Sequence, residues 1–226
     1  QSSNFDSTPN MVPYLDPHLV IFLLDFLRDT NVYNQKDISR AKIRAVEKTN
    51  MITVVEDEYE QYKDDAEMQA EYNNKRGDFD KRSQDIFALL DNKPTGVAKV
   101  MAFFEDKDNV TSLNENKLLN MDHLSSIGAF TSEDLTSFFR YAKFKYECGF
   151  YGEAQTMLGQ FLMIQQGGSP HTQAALWGKV GADILQGLWM NRMQKDSNAS
   201  AEDRENAAAT APRQWQLAVN DFALLK

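Results

Sequence analysis

The chain has 226 residues, 42% hydrophobic and 25% charged, the balance of an ordinary folded protein with enough apolar mass for a sizeable core. Its formal charge of −9 argues against nucleic-acid binding by bulk electrostatics while leaving room for a local basic face. The single cysteine, Cys148, excludes an intramolecular disulfide framework and points to a reducing compartment such as the cytosol; the longest apolar run, Leu19 to Leu24, is far too short to span a bilayer, so no membrane is expected.

Residues 1–13 are polar, contain Pro9 and Pro13, and read as an extended or mobile lead-in without a signal peptide; the start at Gln1 rather than Met reads as a fragment. Asp16-Pro17 marks a helix start, with Asp16 as N-cap and Pro17 in the first turn. The helix predicted over 17–29 is apolar nearly all round. Val20, Leu23, Leu24 and Leu27 make one stripe, and Leu19, Phe22 and Phe26 a second. A helix of this kind is buried on two sides, against its own chain or a partner, and Phe22 and Phe26 are the residues expected to meet a partner. Asn34 opens the next helix, with Asp37 completing an imperfect capping box and Ile38, Ala41, Ala45 and Val46 facing inward. Thr49 is the expected cap of a third helix bearing Ile52, Val55, Tyr59 and Tyr62. Residues 56–85 are strongly polar, either a long solvated helix or a mobile connection, with a break expected at Gly77. Ile86, Leu89 and Leu90 restore apolar spacing before Asn92-Lys93-Pro94, and a short helix then carries Val97, Val100, Met101 and Phe104. For 106–130 the expectation is a loop and one short helix near Lys117–Leu124.

Thr131-Ser132-Glu133-Asp134 is an N-terminal capping sequence. Behind it, Leu135, Phe138, Phe139 and Ala142 recur at helical spacing, as do Ala154, Met157, Leu158, Phe161 and Leu162. Gly149 between the two stripes can take the positive φ that ends a helix, so they must fold back as an αα-hairpin with Tyr151 buried between them. Gly149-x-Tyr151-x-x-Ala154 matches the middle of the tetratricopeptide signature, and Gly187-x-Trp189 echoes it 38 residues later, behind a stripe of Trp177, Val180, Gly181, Ile184 and Leu188. Gly167-Gly168-Ser169-Pro170 reads as a stop and restart, followed by a helix over about 172–189. Residues 194–212 read as linker-like, and Trp215, Leu217, Phe222, Leu224 and Leu225 as a possible closing helix. No alternating strand pattern appears. The expected fold is all-α, a tetratricopeptide- or HEAT-like solenoid of helical hairpins over 14–190, with a charged segment at 63–130 and a tail at 191–226.

The residues give no support to an enzyme. His18, His123 and His171 are far apart and lack partners at metal-ligand spacing, and Cys148 at a hairpin turn reads as packing. There is no phosphate loop, dinucleotide fingerprint or nucleophile elbow, so no cofactor, metal or small-molecule substrate is expected. One charge pattern does stand out. Lys36, Arg40, Arg44 and Lys48 recur every four residues and form a cationic line, either a solvated face or a contact with RNA or an acidic partner surface.

Longer strings carry a family resemblance. Tyr141-Ala142-Lys143-Phe144, Tyr146-Glu147-Cys148-Gly149 and Leu176-Trp177-Gly178-Lys179 resemble the e-subunit family of eukaryotic translation initiation factor 3, as do Leu15-Asp16, His18-Leu19-Val20, Leu24-Asp25-Phe26-Leu27, Tyr33-Asn34 and Thr49-Asn50-Met51 in the same order. The resemblance covers about 14–62 and 133–189, and 63–130 only loosely. It implies a non-catalytic scaffold whose helical repeats lead into a winged-helix module, together a PCI domain. Such a protein contacts sister subunits, the d subunit among them, on the small ribosomal subunit, and is mainly cytoplasmic with a possible nuclear pool. Subunits of the proteasome lid and COP9 signalosome share that architecture and are the alternative. The winged-helix half is missing, and Arg192 stands where the tetratricopeptide spacing calls for Ala, so the chain reads as the N-terminal solenoid of such a protein or as a relative that ends differently.

Overall fold

The computed structural model describes residues 12–165, 170–195 and 199–225. The lead-in at 1–11 and the stop at Gly167-Gly168-Ser169 therefore lie outside the described residues. Among those described there are eleven α-helices and no strand, and the chain divides into two compact units, Gln1–Leu90 and Asp91–Lys226. The fold is the all-α helical-repeat type that the periodicity calls for.

The first unit contains a 3-10 turn, Val12–Tyr14, then α1 (Pro17–Asp29), α2 (Gln35–Val46), α3 (Ile52–Glu60) and α4 (Ala66–Asp91). The Asp16 carboxylate accepts the His18 N–H at 2.8 Å to start α1, and the Asn34 side chain accepts the Lys36 N–H at 2.9 Å to start α2. Val20, Leu24 and Ile38 close the α1–α2 contact. Ile21, Ile43, Val46, Ile52, Val55, Tyr59, Met68 and Phe79 form the core that α3 and α4 complete.

Two expectations in this unit are corrected. Thr49 does not cap α3, which starts at Ile52 behind Met51. The Thr49 hydroxyl donates to the Val46 carbonyl at 2.8 Å and accepts the Met51 N–H at 3.2 Å, so it serves the turn that leaves α2. Nor does Gly77 break the charged segment, because α4 runs through it. Glycine costs a helix interior roughly 1 kcal/mol relative to alanine. Buried Met68 and Phe79 hold the helix on both sides of Gly77, with the Tyr72 ring 4.9 Å from Tyr59 and 6.5 Å from Phe79.

The second unit contains α5 (Thr95–Glu105), α6 (Lys107–Glu115), α7 (Met121–Ser126), α8 (Ser132–Glu147), α9 (Tyr151–Ile164), α10 (Pro170–Lys195) and α11 (Ala201–Ala223). Thr131 and Asp134 form a full capping box at the start of α8. Helix α8 is central to a core that includes Val97, Val100, Leu124, Phe130, Phe138, Ala142, Leu158 and Phe161. Gly149 has φ +86°, and the N–H groups of Gly149 and Phe150 return to the carbonyls of Tyr146 and Lys145. That is the Schellman closure expected of a hairpin turn. Tyr151 is 5% exposed, with its ring edge-on to Tyr146 at 5.7 Å.

Three further expectations give way here. The segment 106–130 forms two short helices, α6 and α7, in place of one near Lys117–Leu124. Asp106 and Asn120 cap them, and Lys117 sits between them at φ +58°. The Gly187 echo is not a second hairpin turn, since Gly187 lies inside α10 and Trp189 is exposed. Gly187 instead admits the Trp215 ring of α11; a Cβ there would come within 3.0 Å of the ring. Finally, most of the linker-like stretch is helix. Ser200 caps α11, which runs on through Pro212. Its alanines favour helix, and Ala207, Ala211 and Ala218 are buried.

Candidate interaction surface

The two helices that carry the expected contact residues, α1 and α2, are tied to each other and to α3 by a buried ionic network. Lys42 of α2 lies 2.8 Å from Asp25 of α1 and 2.9 Å from Glu58 of α3. Arg28 of α1 donates to Glu58 at 2.6 Å and to the Ser39 hydroxyl at 3.1 Å. Burial works against an ionised Glu58, but the bond from Arg28 and the charge of Lys42 outweigh it, and its carboxyl sits below the ordinary value. The two cations and two anions balance. Their packing fixes which faces of α1 and α2 remain outside. Sequence reasoning missed this network, although a signal existed: Asp25, Lys42 and Glu58 each fall on an apolar stripe of their own helix.

The cationic line emerges differently from its expected form. Lys48 lies beyond the end of α2, so Lys36, Arg40 and Arg44 are its helical members. Lys36 pairs with Asp65 at 2.7 Å and Glu67 at 2.9 Å. Arg40 pairs with Glu67 at 2.9 Å and Glu71 at 2.7 Å. Asp65 also accepts the N–H groups of Glu67 and Met68, so the start of α4 is built against the line. Those partners hold Lys36 and Arg40 above their ordinary values, chiefly through the hydrogen bonds. Arg44 and Lys48 remain exposed. Between Arg44, Lys75 and the Arg40–Glu71 pair lies a groove of about 420 Å³ with Tyr59 among its lining residues.

On α1, Val20, Ile21 and Leu24 turn inward. Phe22 is half-buried and Phe26 is 62% exposed, so the second apolar stripe is only partly covered within the chain. Exposed Val32 follows in the α1–α2 turn. The structure thus brings Phe22 and Phe26 onto one helix, whereas Lys36, Arg40 and Arg44 lie on α2 and Lys48 just beyond it, with Lys36 and Arg40 taken up by internal pairs.

The remaining candidates supply little chemistry. Burial pushes the Cys148 thiol up to about 11, far from a reactive thiolate at neutral pH. His18 is buried at the start of α1, and desolvation lowers it despite nearby Asp16. Among the described residues no group of three or more His, Cys, Asp or Glu side chains is placed to hold a metal, and no helix is long and apolar enough to cross a membrane.

Comparison with known proteins gives these surfaces a context. Residues 6–145 match the family described as the eIF3 subunit 6 N terminal domain, a span that includes 63–130. Three similar proteins each carry the name of the E subunit of eukaryotic translation initiation factor 3. The one from Aspergillus niger is 29% identical over 194 residues, covering 86% of this chain and 41% of its own length. That of Aspergillus oryzae is 30% identical over 201 residues, 88% of this chain and 42% of the relative. That of Mycosarcoma maydis is 29% identical over 204 residues, 87% and 36% respectively. The chain therefore spans about two fifths of the length of the relatives it matches. Because the family model takes in well over half of its residues, the chain belongs to the family of the initiation factor 3 subunit 6 N-terminal domain.

Proposed function

We propose that the chain is the helical-repeat part of a PCI-type scaffold subunit of eukaryotic translation initiation factor 3, without catalysis of its own. It works in the cytoplasm, within the factor's assembly on the small ribosomal subunit. Its partners are sister subunits, including the d subunit. The observation that carries this reading is the family match over residues 6–145. The partly uncovered stripe of α1 supports it by offering an apolar contact, with Phe26 62% exposed. Arg44 and Lys48 are where we place an acidic sister-subunit surface or ribosomal RNA. The test is to express the tagged chain in eukaryotic cells and identify by mass spectrometry what co-purifies. Subunits of initiation factor 3 are the expected catch. Proteasome-lid or signalosome subunits in their place, or no specific partner, would overturn the reading.

A further inference from the structure

The seam between α10 and α11 holds a second buried ionic cluster, and its charges do not balance. Asp183 of α10 is fully buried. It accepts a hydrogen bond from the side-chain amide of Gln155 on α9, which also donates to the Gln214 side chain of α11 at 2.8 Å. Lys179, one turn earlier on α10, lies 3.3 Å from Asp183 and also pairs with Asp221 of α11. The charged groups facing Asp183 are thus Lys179 from its own helix and Asp221 from α11. Helix α9 presents the neutral Gln155, and α8 the Tyr146 hydroxyl, which lies against Gly181. Two carboxylates share one ammonium, leaving an uncompensated negative charge in a site largely withdrawn from water. Such a charge is costly to bury, and one proton on the carboxylate pair removes it.

We propose that this cluster is a proton-dependent latch holding α11 on α10. With the proton bound, Asp183 and Asp221 share a hydrogen bond beside Lys179 and the seam is neutral. When the proton leaves, the docked seam carries a net charge that only opening can hydrate, so α11 opens more often. Trp177 and Phe222, edge-on across the seam with ring centroids 6.4 Å apart, separate with it.

Burial raises the Asp183 carboxyl from 3.8 to about 7, with Asp221 acting in the same sense and Lys179 opposing. A carboxyl raised in the folded state adds stability that is fully present below its unfolded value of 3.8 and is lost as pH climbs through about 7. Linkage across that window makes opening of α11 about tenfold more frequent at pH 8 than at pH 6.

Amide hydrogen exchange of the full chain, corrected for the pH dependence of intrinsic exchange, reads this directly. The expected result is about a tenfold fall in protection of α11 amides from pH 6 to pH 8 in the wild type. In Asp183→Asn, protection should be flat over the same range. Equal pH dependence in the two proteins, or none in the wild type, would overturn the latch. Should Asp183→Asn fail to fold, carboxyl-carbon NMR titration of the wild type decides the matter. A near-neutral midpoint for Asp183 supports the proposal, and an ordinary carboxylate midpoint overturns it.

Discussion

Lys42 shows how one buried charged residue can tie three helices together. It lies on the buried face of α2 with Ile38, Ser39 and Val46, and its ammonium is the cation between Asp25 and Glu58. Removing it would leave two carboxylates buried beside Arg28 alone. Lys42→Met should therefore cost roughly 3–5 kcal/mol, the range for breaking a buried ionic group by losing one partner. Urea unfolding with an unchanged slope would measure that cost. A loss below about 1 kcal/mol would mean the site behaves like an exposed ion pair. Tyr151 tests the α8–α9 hairpin in the same way. Its ring is 5% exposed against Tyr146, so Tyr151→Ala should cost about 3 kcal/mol or more in thermal or urea unfolding, as loss of a buried large aromatic does.

At the scale of elements, α4 gives the sharpest test. Its passage through Gly77 conflicts with local propensity, and nothing lies within 4 Å of the position a Cβ would take there. Gly77→Ala should thus raise stability by about 0.5–1 kcal/mol, through reduced entropy of the unfolded chain and better helix propensity. Destabilisation would show that the helix is interrupted at this point. The salt bridges around Lys36 and Arg40 belong to the same scale, because they join the charged face of α2 to the first turns of α4. A line of four cations would repel itself in isolation. With two of the four paired internally, the reach of the line shifts toward its exposed end at Arg44 and Lys48.

For the whole molecule, the two proposed contact surfaces predict different salt responses. The double variant Phe22→Glu and Phe26→Glu should lower recovery of sister subunits in co-purification at all salt concentrations, with the far-ultraviolet helical signal intact. Unchanged recovery would mean that α1 makes no outside contact. Arg44→Glu with Lys48→Glu should weaken assembly at low salt and matter little at high salt, because ions screen exposed charges within about 10 Å at 0.1 M. Unchanged binding throughout would leave that end of α2 as an ordinary solvated face. Arg40 is a poorer choice for this test, since its reversal would also break the pairs with Glu67 and Glu71.

The sequence by itself determined the helices whose signals lie within a turn or two of one another. The Asp16 and Asn34 caps, the Thr131–Asp134 box, the positive φ at Gly149 and the burial of Tyr151 all belong here. So do the family strings, which are local words in the chain. What the tertiary structure alone decided are the arrangements that depend on distant partners. Lys42 meets Asp25 across 17 positions, Arg40 meets Glu71 across 31, and Lys179 meets Asp221 across 42. Periodicity reports which face of a helix is apolar, but not which charge another helix brings to that face. The same limit explains the misread segments. At Gly77 the glycine opposes helix, and the packing of Met68 and Phe79 in the core overrides it. At the start of α11 the polar and charged residues read as a linker although the alanines among them favour helix, and burial of Ala207 and Ala211 beside α10 fixes the outcome.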